Sequence, residues 1–383
     1  MKANITIIIA VSMVSAIGGL VFNTMPILLG TAGEAFGFNN AELGNLSLMA
    51  GVGYLAGTLT GPLWVDSFQW QKTAFFIILA VAFSFLVSMG LPRDYIYFGF
   101  LVFGFFCALA IALAMRVLAD MPDPERAYGT RLSVELLSIG LFLVFLPSFF
   151  VSNAGFTGAM FGMAVFTIFL GIGVCAFPKH STSKTVEKLK GFPSWRKSGS
   201  SWSVLLIFTI YLLANVGLFF FLYIIAQKFS PTDAQNGMMF GVLKWLGGGA
   251  GVLGAIIGAK AGLRMPHLYA FLILIVGVLG LFTAKNFTIF MISSWIWEFG
   301  FTLGCLYQTA AIVRFDVSNK LVVLVPMSFG ISMIFGGKIA GRLLEGGSTS
   351  SLYMLVFICS LLPSILIFLT KPNPVDNNEF LGG

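Results

Sequence analysis

The sequence predicts an all-α integral membrane protein of about twelve transmembrane helices, six plus six, and three observations predict it. Apolar residues make up 58% of the chain and charged residues only 10%, against roughly 25% charged in an average soluble domain. That apolar content is spread along the whole chain, and only lipid lets every face of so many helices be hydrophobic at once. Lastly, Lys and Arg fall almost entirely on one side of the implied zigzag, as orientation in a membrane requires.

Apolar runs of about 20 residues, enough to cross roughly 30 Å of hydrocarbon, lie near residues 4–30, 44–65, 73–92, 96–116, 129–150 and 155–177. A polar, basic stretch from Lys179 to Ser203 follows, and the series resumes near 204–226, 237–258, 267–284, 287–313, 321–342 and 351–370. The chain therefore divides into a first six-helix bundle (1–177), a linker (178–202), a second six-helix bundle (203–371) and a tail (372–383). Backbone polar groups in a bilayer must pair within the protein, and runs this long without apolar/polar alternation are helices rather than barrel strands. The segment from Ile5 to Phe22 has the look of a signal peptide but continues to Leu29 without a small-residue cleavage site, so it reads as the first span.

Of the 22 Lys and Arg, Lys244 and Lys338 lie within spans, Arg93, Lys228, Lys285 and Arg342 fall on one side, and the other sixteen fall on the opposite side. The basic side, with Lys184, Lys197 and Lys371, is expected to be cytoplasmic, placing both termini inside a cell inner membrane. The region 31–44, with Glu34 and Glu42 but no Lys or Arg, is then periplasmic. The net charge of +7 thus reflects orientation, with no basic face or motif for nucleic acid. Cys107, Cys175, Cys305 and Cys359 sit in apolar runs without CxxC or ligand spacing and read as core thiols.

The halves carry a weak internal repeat. Gly61-Pro-Leu-Trp-Val-Asp66-Ser-Phe-Gln-Trp-Gln-Lys72 follows the second span, and Gly254-Ala-Ile-Ile-Gly-Ala259-Lys260-Ala-Gly262-Leu-Arg264 follows the eighth; the fourth and tenth spans both end on arginine, Arg116 and Arg314. Six plus six helices, a basic connector and this loop resemble the major facilitator superfamily. Asp66 and Lys72 match that family's loop signature, while Ser67, Gln69 and Gln71 depart from it; in the second copy Lys260, Gly262 and Arg264 fit and Ala259 replaces an acid. The resemblance implies two bundles related by a pseudo-two-fold axis, a substrate site between them near the midplane, and a cavity lined by the first, second, fourth and fifth spans of each half. It also implies that Asp66 and Lys72 belong to a cytoplasmic gate. No cofactor is implied, and the chain is expected to act as a monomer.

An ionisable side chain at membrane depth costs about 2.5–3.5 kcal/mol on insertion scales, so each needs a reason. Glu298 falls in the middle of the tenth span with Ser294, Thr302, Cys305 and Thr309 on its helical face, and is expected to be the only acid at central depth, Asp66, Glu135 and Glu345 lying nearer the faces. It is either a proton carrier or a structural Glu bonded to a neighbouring helix. Lys244, two turns into the eighth span, continues into Gly247, Gly248 and Gly251, a face for close packing or for a ligand. Lys338, near the outer end of the eleventh span with Arg342 one turn on, either faces the substrate or snorkels to the interface. Arg131, Glu135 and Ser138 form a strip on the fifth span that, with Arg116, is either an inner gate or a local ion pair. Asn23 and Thr24, before Pro26, interrupt the first span, and Tyr211 with Asn215 occupies the seventh; by resemblance these helices contact substrate. Trp295, Trp297, Tyr307 and Gln308 add aromatic and amide groups to the tenth span, and His180 and His267 leave no buried imidazole.

No Walker loop, HExxH or Ser/His/Asp constellation is present, so nothing supports an enzyme or an ATP-driven pump. The expected function is ion-gradient-driven secondary transport, most simply coupled to protons, of a small anionic or zwitterionic solute by alternating access. The alternative is proton-driven efflux of amphipathic or cationic compounds, with Glu298 binding the cation in an aromatic cavity.

Overall fold

Hydropathy alone gives eight helical stretches long and apolar enough to cross a bilayer, one of which, Thr130–Ala176, contains two successive helices. The computed structural model describes residues 5–121, 124–179, 199–257, 264–315 and 325–369. The linker from 180 to 198, the second loop copy with Ala259, Lys260 and Gly262, and the tail 372–383 lie outside the described residues. Among the described residues there are twelve long α-helices: α1 Ile5–Phe36, α2 Asn40–Trp64, α3 Trp70–Ser88, α4 Ile96–Ala119, α5 Pro124–Phe145, α6 Ser152–Gly171, α7 Gly199–Ala226, α8 Asp233–Ile257, α9 Arg264–Thr283, α10 Phe287–Phe315, α11 Val325–Glu345 and α12 Thr349–Leu369. The near face is the one at which α1 begins, and the far face the one at which it ends.

Local chemistry explains the ends and the irregularities. Asn39 caps α2: its side chain accepts from the Glu42 amide (2.8 Å) while the Glu42 carboxylate accepts from the Asn39 amide (2.9 Å). Contrary to the sequence reading, α1 is not interrupted at Asn23 to Pro26. Asn23 donates to Gly19 O (2.9 Å) and Thr24 to Leu20 O (2.7 Å), so both polar groups are satisfied within the helix and neither breaks it. The break comes instead after α5, where a π-helical turn, Leu146–Val151, contains Pro147, which cannot donate to the ladder. Gly155 then takes φ 52°, a left-handed conformation open to glycine. Cys175 is exposed near the near face, so it is not the core thiol expected from its apolar run.

The packing repeats. Within the first six helices α1 packs on α4, α5 and α6, α2 on α4, and α3 on α4 and α6; within the last six α7 packs on α10, α11 and α12, α8 on α10, and α9 on α10 and α12. Adding six to each number turns one set into the other. Contacts between the sets obey the same exchange: α2 meets α11, α5 meets α8, and α1 meets α7. Small residues make this seam close. A side chain at Gly44 or Gly51 would meet the backbone of α11 at Gly337 or Ile334, and one at Gly140 would meet Trp245 of α8. Cross-seam approaches at Gly30, Gly44, Gly140, Gly237 and Gly341 all lie toward the far face, whereas Gly53, Gly57 and Gly61, toward the near face, contact α4 of their own set.

The three helices that fail the hydropathy test, α2, α8 and α11, are all on this seam. They face protein more than lipid, so glycine and polar residues replace the leucine and phenylalanine that lipid-facing helices need.

Candidate functional site: a buried charge cluster at mid-depth

Helix length sets the depth of three charges. Glu135, Lys244 and Glu298 each stand eleven residues beyond the first residue of their helix, Pro124, Asp233 and Phe287. At 1.5 Å per residue that is about 16 Å, half the thickness of the hydrocarbon. The expectation that Glu298 is the only acid at central depth is therefore corrected. The fifth helix begins at Pro124 rather than near residue 129, which lifts Glu135 toward the middle, where it is 6% exposed.

Lys244 Nζ donates to Glu298 Oε1 at 3.2 Å, and each residue is 3% exposed. The ammonium also lies 3.8 Å from the centre of the Phe219 ring and 6.0 Å from that of Phe22, so α1 and α7 cap it with aromatic faces. Gly247 makes room for the acid, since a side chain there would meet Glu298 Oε1 and Thr302 Oγ1 at 3.2 Å. The other carboxylate oxygen, Glu298 Oε2, is buried without a hydrogen-bond partner among the described residues.

Facing this pair across the seam, Arg131 Nη2 bridges Glu135 Oε2, and Arg131 Nε donates to Ser15 Oγ of α1 at 2.6 Å. A side chain at Gly19 would run into Glu135 Oε1, so glycine again accommodates the carboxylate. Lys244 is close enough for its charge to act on Glu135 as well as on Glu298, and Tyr54 of α2 lies within reach of Glu135 and Arg131. The result is one positive and one negative charge from each set of helices, in a single buried group that spans the seam.

The remaining residues singled out from sequence fall elsewhere. Arg116 pairs with Asp66 (2.9 Å) and Asp120 (3.5 Å) at the near end of α4 and lies over the Trp70 ring, with no ion pair to the Arg131 strip expected to join it among the described residues. Lys72 is exposed. Asn215 is held on all sides: its amide donates to Tyr211 O (2.9 Å) and Ser360 Oγ (3.1 Å) and accepts from Trp297 Nε1 (3.0 Å), while the Tyr211 hydroxyl donates to Phe301 O (3.0 Å). These three side chains tie α7 to α10 and α12. Tyr307 packs with Ala250, Ala270 and Leu303, and its hydroxyl and both Gln308 amide atoms are buried without partners among the described residues. Lys338 is half-buried, its backbone against Gly44, with no ion pair among the described residues. His267 is buried rather than at a loop end, 2% exposed, and its Nε2 lies 3.2 Å from Ser364 Oγ. Sequence reasoning missed Ser15, Gly19, Phe22, Tyr54 and Phe219. Glycine at the i+3 position after Lys244 was the one signal that pointed toward the site.

The family model described as Major Facilitator Superfamily matches residues 7–318. The chain belongs to that superfamily. A search of curated proteins finds no match. Among solved structures, a D-xylose-proton symporter superposes with a TM-score of 0.76 at 10% identity, covering 97% of this chain and 98% of that one. A partially occluded inward-open conformation of the xylose transporter XylE from E. coli gives 0.72 at 12% identity, covering 96% and 100%. The nucleoside transporter NupG gives 0.72 at 12% identity, covering 96% and 98%. At such identities the likeness is one of fold.

Proposed function

We propose that the chain is a proton-coupled secondary transporter of a small anionic or zwitterionic organic solute, working by alternating access. Its twelve helices all cross the membrane, as two six-helix bundles (1–177 and 203–371) joined by a cytoplasmic linker (178–202), and the near face is cytoplasmic. The observation that carries the reading is the Lys244–Glu298 pair, fully buried at mid-depth and facing the Arg131–Glu135 pair across the seam. Burial favours the neutral form of a carboxyl and a nearby cation favours the charged form, so moving Lys244 toward or away from Glu298 would couple protonation to bundle motion. The seam is close toward the far face, which fits a carrier closed to the periplasm, and the Arg116–Asp66 pair at the near face would be remade when the cytoplasmic side shuts.

The superposed structures include a proton symporter and transporters of sugars and nucleosides, which supports gradient-driven carriage of small polar solutes. The balanced charges at the centre favour an anion or zwitterion over a lipophilic cation, because Glu298 already has its cation. The test is Glu298→Gln in proteoliposomes under an imposed pH gradient. Uphill accumulation should be lost while exchange at equal concentrations survives; accumulation at the wild-type rate would show that Glu298 is structural and would end the reading.

A further inference from the structure

Resting on that reading, we infer that one proton on Glu298 releases Lys244 to bind the carboxylate of a monoanionic solute, so that one proton and one monoanion cross together and the step moves no net charge. The argument is charge conservation in a buried site. With all four groups ionised, Arg131 and Lys244 balance Glu135 and Glu298, and the empty site is neutral. A proton on Glu298 cancels one negative charge and leaves an excess positive charge on Lys244, whose only hydrogen bond among the described residues is the one to Glu298 Oε1. A single carboxylate restores neutrality. A zwitterion brings no net charge, so with a proton it would leave the occluded site cationic, and a dianion would leave it anionic. Uncompensated charge is the largest cost a membrane interior imposes.

Geometry supports the same assignment. Glu298 Oε2 is buried and unpartnered among the described residues, a place for the proton that leaves the Oε1 contact free to open. Lys244 lies against the Phe219 ring of α7 (3.8 Å), which itself stacks on Phe22 of α1 with ring centres 5.8 Å apart, so a carboxylate bound to Lys244 would have this aromatic pair, one ring from each set of helices, beside it. Arg131 is less available, being engaged by both Glu135 and Ser15. The titratable groups facing the pair are Glu135 and Arg131 from α5, Tyr211 from α7 and Cys305 from α10 itself; the Tyr211 hydroxyl is held by Phe301 O.

The experiment uses the purified full chain in liposomes with an internal pH dye, and asks which added solutes carry protons inward: lactate and benzoate as monoanions, succinate as a dianion, alanine as a zwitterion, xylose as a neutral solute and tetraphenylphosphonium as a cation. The expected result is proton movement with a monoanion at a rate unchanged by a valinomycin potential. Lys244→Met should lower that rate about 30-fold or more, the effect of truncating one partner of a buried charged contact. Because Lys244→Met leaves Glu298 unpaired, the double variant Lys244→Met/Glu298→Gln serves as the folded control, and it too should bind no monoanion in a thermal-shift assay with benzoate. Proton movement with xylose, alanine or succinate but no monoanion would overturn this inference and leave proton-coupled transport standing. So would monoanion uptake driven by the potential, or undiminished benzoate binding by the double variant. Proton movement with none of the solutes would sink both.

Discussion

Removing Lys244 alone should be far more damaging than removing it together with Glu298. The pair is separated by 3.2 Å and both residues are 3% exposed, which puts it in the buried regime rather than the surface regime, where ion pairs contribute about 0–1 kcal/mol. In Lys244→Met the carboxylate of Glu298 keeps its burial and loses its one hydrogen-bonded partner, and breaking a buried pair in this way costs about 3–5 kcal/mol. The double variant Lys244→Met/Glu298→Gln removes both charges, keeps volumes close to the originals, and should return to within about 1–2 kcal/mol of the parent. The double variant is therefore expected to be about 1–4 kcal/mol more stable than Lys244→Met alone when both are unfolded in detergent. Additivity of the two single changes within about 0.5 kcal/mol would mean that the two side chains do not interact, and the charge-cluster argument would fail with it.

Four further outcomes follow from the same geometry. Asn215→Ala should destabilise by about 2–3 kcal/mol, because Trp297 Nε1 loses its acceptor in a dry core, yet leave transport per folded molecule unchanged when rates are normalised to monodisperse protein. Asp66→Asn should change stability by less than about 1 kcal/mol, since the Asp66 side chain is 55% exposed, while slowing uptake if its contact with Arg116 is remade in each cycle. Gly51→Leu should force α2 and α11 apart and lower the yield of a disulfide placed between Ala35 and the far end of α8 in an oxidant titration. For orientation, an impermeant thiol reagent applied to intact cells should label a cysteine at Ala35 and not one at Ser200; Ala32, three residues earlier, is fully buried and would report nothing.

The positions of the helices were legible because burial in lipid leaves a run of apolar residues whatever the tertiary contacts are. α2, α8 and α11 carry a weaker signal, since they trade leucine for glycine where they touch the other set of helices, yet their apolar runs are still long enough to read. The site was half legible. A lone Glu298 and a lone Lys244 in apolar helices stand out in any reading, but that they meet depends on two helices 54 residues apart coming side by side, which no local pattern encodes. Glu135 was misplaced for a different reason. Residues Pro124 to Gly129 are polar enough to read as a loop, yet they form the first turn and a half of α5 and push the acid inward. Asn215 and Tyr211 are expected at the substrate only through the family resemblance, and the hydrogen bonds that make them ties between helices come from partners distant in sequence, which leave no local signal.

The order of the partners along the chain has a consequence for how the protein is made. Lys244 leaves the ribosome 54 residues before Glu298, which at roughly 5–20 residues per second is an interval of about 3–11 s. During that time α8 carries an ammonium group that the bilayer core penalises by about 2.5–3.5 kcal/mol, with its final counterion not yet synthesised. Glu135, however, was made long before, on the helix that α8 contacts in the finished fold. The nascent α8 therefore has a provisional acid to lean on, Glu135, until Glu298 is made.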